Sequence, residues 1–197
     1  MKEVRPIRDK KKIKAIKTLM EERGAYRDLL LFVLGINTGL RISDLLSMKW
    51  SLFLDRFGTI EKVNSRITIK EQKTGKTKIF IMNKSIHHAV ERYLNTLKNV
   101  SRDDYIFTPR NHKKGRSRSI TRQYVWLLLN KYAKMVGIDE SIGTHTLRKT
   151  FGYQLYKKGV SVEYIQKMLN HSSSSTTLRY IGITQEQLDE IYIDLNL

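Results

Sequence analysis

Apolar residues recur at helical spacing over most of this chain and at strand spacing over one short stretch. Ile13, Ile16, Leu19 and Met20 fall on one face of a helix that Asp9 can cap, with Lys10, Lys11, Lys12, Lys14 and Lys17 around the rest of it and Gly24 to end it. Residues 28–37 are apolar nearly all round, which predicts a buried helix broken by Gly39, and a shorter helix is expected over 42–50. The pattern then changes period. Arg66-Ile67-Thr68-Ile69-Lys70 alternates, Lys78-Ile79-Phe80-Ile81-Met82 does so more loosely, and Lys73-Thr74-Gly75-Lys76 supplies a turn between them. With residues 59–63 in front, a small antiparallel sheet of about three strands is expected. Helical spacing returns over 85–100, 144–158 and 161–170, and in a helix capped by Ser119 that carries Val125, Leu128, Leu129 and Tyr132. Residues 110–119 are polar, basic and glycine-containing and read as an exposed loop. The fold class is therefore mainly α with a small antiparallel β-sheet, an α+β domain.

Charge narrows the choice of partner. Lys and Arg number 37 against 19 Asp and Glu, a formal charge of +18 with a pI near 10.0. On a domain with enough apolar residues to fold, that excess points to a polyanion. The chain has no cysteine, which excludes disulfides and thiolate metal sites. The first ten residues lack the apolar stretch of a signal peptide, and the longest apolar run is too short to span a bilayer. A cytoplasmic protein with no membrane contact is expected.

The candidate chemistry lies in a few short motifs. Thr38-Gly39-Leu40-Arg41-Ile42-Ser43-Asp44-Leu45 places Arg41 just after a glycine turn, with Asp44 one helical turn on and able to pair with it. His145-Thr146-Leu147-Arg148 sets a histidine and a second arginine three apart, on one helix face. His171 ends a helix after Leu169-Asn170, and Thr176-Thr177-Leu178-Arg179-Tyr180-Ile181-Gly182 follows, with Tyr180 nine positions after His171. Two arginines can neutralise the non-bridging oxygens of a phosphodiester, histidines can move protons, and a phenol can attack. No Walker loop and no carboxylate cluster suited to two metal ions is present, so no cofactor or metal is called for.

In that order, these motifs resemble the catalytic domain of the tyrosine recombinases, the phage-integrase family, from about Arg27 to about Thr184. The resemblance implies a site-specific DNA recombinase or integrase. It cuts and rejoins strands through a 3′-phosphotyrosyl intermediate, with Arg41, Lys73, His145, Arg148, His171 and Tyr180 as the catalytic set. The family more often has glutamate where Asp44 stands and glycine where Asn170 stands; asparagine tolerates the same left-handed backbone. Lys73, in the hairpin turn, matches the lysine that protonates the leaving 5′-oxygen, although Lys70, Lys76 and Lys78 lie close enough to compete. Either His145 takes the phenolic proton or the two guanidiniums favour the phenolate. The resemblance further implies double-stranded DNA as partner, a homo-oligomer (a tetramer) on that DNA, and room for an accessory DNA-bending protein. A type IB topoisomerase shares the chemistry, and a non-catalytic DNA-binding relative would share the charge.

Most of the family carries an N-terminal core-binding domain, whereas only about 24 residues precede the first buried helix here, so residues 1–197 read as a catalytic domain alone. Leu188, Ile191, Tyr192 and Leu195 form an apolar stripe. A helix over 184–197 would either pack on its own domain or be exchanged between subunits.

Overall fold

The structure, a computed structural model, describes residues 4–109, 118–140 and 142–182, together with positions 189 and 193. The first helix, α1 (Lys10–Glu22), starts where Asp9 accepts the Lys11 N–H at 2.7 Å, and it buries Ile16 and Met20. Helix α2 (Tyr26–Thr38) is enclosed on nearly every side, as its apolar sequence requires. It is the axis of the domain and packs against α1, α4 (Lys84–Leu94) and α6 (Thr146–Tyr156). Gly35 is what allows α6 to come so near, because a Cβ there would lie 2.5 Å from Leu147 Cδ1. Gly39 ends α2 in the left-handed region at φ 61, and a Cβ on it would lie 2.4 Å from the Phe151 ring. These two glycines seat the α6 segment that carries Arg148 against the turn that leads to Arg41.

The sheet has two strands, β1 (Arg66–Lys70) and β2 (Thr77–Ile81), antiparallel with Ile67 opposite Phe80 and Ile69 opposite Lys78. The third strand expected over 59–63 does not form. Asp55 Oδ1 accepts the Phe57 and Thr59 N–H groups, which turns the chain back so that Ile60 bridges Leu54. Asn64, at φ 72, then bends it before β1 begins. Other boundaries also move. Helix α3 is confined to Ile42–Leu46, because Lys49 pairs with Tyr105 and a single 3₁₀ turn, Trp50–Leu52, follows. Helix α4 stops at Leu94. The cap of α5 (Arg122–Met135) is Thr121, which accepts from the Tyr124 N–H, whereas the Ser119 hydroxyl bonds the Phe107 carbonyl.

Two further helices close the chain's described part, α7 (Val162–Met168) and α8 (Ser174–Ile181). No helix was expected over 174–181, which begins in the run Ser172–Ser175. Ser173 caps it through the Thr176 N–H, and Thr177 and Ile181 point inward. The packing divides in two. A large core gathers side chains from α1 to α6, including Leu30, Phe32, Trp50, Phe107 and Leu147. A small one consists of Phe151, Ile165, Leu169 and Ile181, with Leu155, Tyr156, Val160 and Tyr180 against it. Helix α6 belongs to both. The expected loop lies outside the described residues at 110–117, and so does the expected C-terminal helix apart from positions 189 and 193. Among the described residues no helix is long and apolar enough to cross a membrane.

Candidate active site

Arg148 is 2% exposed and is fixed by backbone: its guanidinium donates to the carbonyl of Gly39 at 2.6 Å and to that of Leu169. A buried guanidinium is tolerable only when its donors are satisfied, and here the ends of α2 and α7 supply acceptors. That arrangement places it at the junction of the two cores. Its guanidinium carbon lies 6.0 Å from the centre of the Tyr180 ring.

Arg41 is more open, with its side chain 18% exposed. Its expected partner, Asp44, instead holds the backbone. The Asp44 carboxylate accepts the Arg41 N–H at 3.2 Å and the Gln72 N–H at 2.8 Å, tying α3 to the end of β1. The guanidinium goes to Glu71 at 2.8 Å. The same Glu71 oxygen accepts the Thr74 hydroxyl at 2.7 Å, so one buried carboxylate couples Arg41 to the turn that carries Lys73. Burial raises the Glu71 pKa, but the Thr74 hydroxyl and Arg41 outweigh it and hold the carboxyl below its ordinary range. Glu71 was not legible in the sequence. It follows a strand of alternating residues and looks like one more polar hairpin position, and only the inward pleat of β1 shows that it faces the site.

The nucleophile candidate and both histidines meet. His145 Nδ1 lies 2.7 Å from the Tyr180 hydroxyl. The His171 ring stands edge-on to the Tyr180 ring at 4.9 Å between centres, and His171 Nδ1 is 3.1 Å from the Thr177 hydroxyl. Thr177, fully buried, thus orients His171 from α8, a role its place immediately before Leu178-Arg179 does not advertise. Asn170 adopts the left-handed conformation at φ 50 that the turn into His171 needs. Lys73 sits on the exposed hairpin turn, near enough to the site for its charge to act on His145. Of the six expected residues, five therefore converge and the sixth lies on the exposed turn beside them.

The electrostatics follow from burial amid cations. His145 is pushed below its ordinary pKa by burial and by Arg148, Lys149, Arg41 and Lys73. His171 is pushed down to about 4 by burial, Arg148, Arg41 and Lys78. Both rings are neutral at pH 7 and can accept a proton or a hydrogen bond. Burial raises the Tyr180 phenol above its ordinary value, and Arg148 and Arg41 draw it down only in part. Burial therefore outweighs the guanidiniums. A free phenolate is disfavoured, and a base at the hydroxyl matters more. Among the described residues no cluster of histidine and carboxylate side chains could hold a metal ion.

A model of the phage integrase family matches residues 8–187. The chain belongs to that family. A probable integrase/recombinase, YoeC, of Bacillus subtilis (strain 168) is 34% identical to it over 192 residues, 96% of this chain and 95% of the relative. The tyrosine recombinase XerA of Pyrococcus horikoshii is 31% identical over 178 residues, 89% of this chain but 57% of its own length. The crystal structure of XerA recombinase shares the fold with a TM-score of 0.73 at 22% identity, over 100% of this chain and 66% of that one. A XerH site-specific recombinase bound to palindromic difH substrate, in a post-cleavage complex, gives 0.71 at 20% identity, over 96% of this chain and 53% of that one. The chain's mostly helical fold with a two-stranded sheet is shared with these tyrosine recombinases.

Proposed function

We propose that this recombinase cuts and rejoins DNA through Tyr180, with Arg41 and Arg148 on the phosphate, His145 as the base, His171 as a hydrogen-bonding partner and Lys73 as the acid. The observation that carries the assignment is the 2.7 Å contact between His145 Nδ1 and the Tyr180 hydroxyl, made against a buried arginine. In the first step the phenolic oxygen attacks phosphorus and its proton passes to His145. The bond from phosphorus to the 5′-oxygen breaks, and that oxygen takes a proton from Lys73. A 3′-phosphotyrosyl link and a free 5′-hydroxyl result. The 5′-hydroxyl of a second strand then reverses the sequence and releases Tyr180. Bond energy is held in the phosphotyrosine, so rejoining needs no nucleotide.

Arg41 and Arg148 stabilise the charge that builds on the equatorial oxygens, where planar guanidinium forks donate to two oxygens at once. The +18 charge supplies the general attraction to double-stranded DNA. Recombination needs two duplexes, which favours a homo-oligomer on DNA, a tetramer, with an accessory bending protein as a further participant and the cytoplasm as its place of work. Recombinase and integrase relatives favour strand exchange over the relaxation of a type IB topoisomerase. The test is to incubate the protein with a duplex nicked beside the scissile phosphate, so that cleavage cannot be reversed, and then denature it. Wild type should retain strands covalently, and Tyr180→Phe should bind DNA yet retain none. An adduct formed equally by Tyr180→Phe would overturn the assignment.

A further inference from the structure

Lys78 is the one buried lysine of the hairpin. It lies on β2 opposite Ile69, and the alternation of that strand sends its side chain inward while Thr77, Ile79 and Ile81 face out. It is 7% exposed, and its ammonium has no hydrogen-bond partner among the described residues. Its surroundings are those of the active site. Arg41 and Asp44 reach it from the start of α3, Glu71 from the end of β1 and Arg148 from α6, and its own charge acts on His171 after α7. Its nitrogen lies 6.0 Å from the centre of the Phe151 ring. Asn170 also faces this cluster, where its side chain acts on the Glu71 carboxylate. An unpaired buried ammonium is costly, and a fold keeps one where a counter-charge arrives from outside.

We propose that Lys78 is a positioning residue of the same phosphate site, an inner cation that takes up a proton when a DNA phosphodiester settles against Arg41 and Arg148. The inference rests on the DNA-phosphate reading above. In the free protein, burial and the charge of Arg148 lower the Lys78 pKa to about 7, against the opposing pull of Glu71 and Asp44, with Arg41 lowering it further. Near neutrality the nitrogen is therefore divided between amine and ammonium. A phosphodiester adds one negative charge to this cluster at any working pH, which favours the ammonium, and the ammonium in turn favours the phosphate. Solvent supplies the proton, and no bond is made or broken. Lys73 stands on the exposed turn, whereas Lys78 is enclosed. The two lysines divide the work between protonating the leaving group and holding the phosphate. The histidines titrate below this range, since His145 and His171 are both held under their ordinary value.

The linkage has a definite sign. The bound state holds the proton to higher pH than the free state, so affinity is full below the free pKa and falls as pH rises through it. For one proton the fall is at most about tenfold per pH unit. Binding of a short duplex is measured by calorimetry between about pH 7 and about pH 8.5, in buffers of different ionisation enthalpy, which reports protons taken up per duplex. Wild type should take up protons and lose affinity as pH rises. Lys78→Met, which fills the same space without charge, should bind with neither effect and should melt at a higher temperature than wild type. Lys78→Arg keeps a permanent charge and should retain wild-type low-pH affinity across the range without proton uptake. Proton uptake by Lys78→Met equal to that of wild type, or none by wild type although DNA binds, would overturn the proposal. Failure of the wild type to bind DNA at all would instead sink the DNA-phosphate reading, and the inference with it.

Discussion

The two arginines and the tyrosine stand on unequal foundations. Arg41 follows α2, the most enclosed helix of the domain, and is locked by Asp44 and Glu71 to neighbours rooted in the large core. Tyr180 rides on α8, an eight-residue helix held by Ile181 and Thr177 against a core of four buried side chains. An isolated helix of that length has little stability of its own. Arg148 is the hinge between them, because α6 puts Leu147 in one core and Phe151 in the other while the guanidinium grips a carbonyl from each side. A phosphate clamp gains from being fixed before substrate arrives, since its donors then need no reorganisation. A nucleophile that must attack in line and later be released gains from a support that can shift. The division of the core fits the division of labour proposed for these residues.

The comparison can be broken most severely at its hinge. Arg148→Lys keeps the charge but leaves at least one of the two carbonyls without its donor and removes the paired donation to phosphate. Cleavage should fall by about 10²–10³-fold, as for loss of one preorganised donor. Near-normal adduct formation by this variant would show that Arg148 serves charge alone. Next in size is the small core itself. Leu169→Ala should cost about 2–5 kcal/mol locally. Amide exchange should then accelerate in α7 and α8 while α2 stays protected, and uniform acceleration across both cores would show that they unfold as one. Glu71→Gln should be milder. The amide can still accept from Arg41 but carries no charge, so cleavage should drop by about tenfold or less while the fold persists. A variant indistinguishable from wild type would remove Glu71 from the site.

The smallest effect is one of pH, and it separates the halves without mutation. His171 binds its proton near pH 4 in the folded protein and near its ordinary 6.5 when unfolded. The unfolded chain therefore takes up protons that the folded one refuses, and stability present above 6.5 is lost as pH falls towards 4. The depressed pKa of His145 acts in the same direction. Exchange in α7 and α8 should quicken over that window, and His171→Gln should lessen the change. A rise in protection on acidification would refute the assignment of neutral rings.

How far the sequence led depended on whether a residue's neighbours were local. Gly39 with Arg41, His145 with Arg148, and Leu169-Asn170-His171 are short-range patterns, in which a turn or a helix face fixes what the next residue can do. Helix α2 was equally plain, since an element that is apolar all round can only be buried. Glu71 and Thr177 were not legible as site residues, and Lys78 stood out only as a rival to Lys73, because what these residues face depends on which side of a strand or short helix turns inward. The same limit explains α8. Its serine-rich start has weak helical propensity, and its place is set by the Ser173 cap and by Ile181 finding the small core. The strand expected over 59–63 failed for the converse reason, since the Asp55 turn satisfied that segment's backbone before the sheet could recruit it.

The most direct measurement is to locate the covalent bond. Protein trapped on a nicked duplex is denatured and digested, and the peptide that still carries nucleotide is sequenced by mass spectrometry. The account predicts a single modified peptide, with the 3′-phosphate of the cleaved strand on Tyr180. Attachment to Tyr153, Tyr156 or Tyr164, or through a 5′-phosphate, would contradict it.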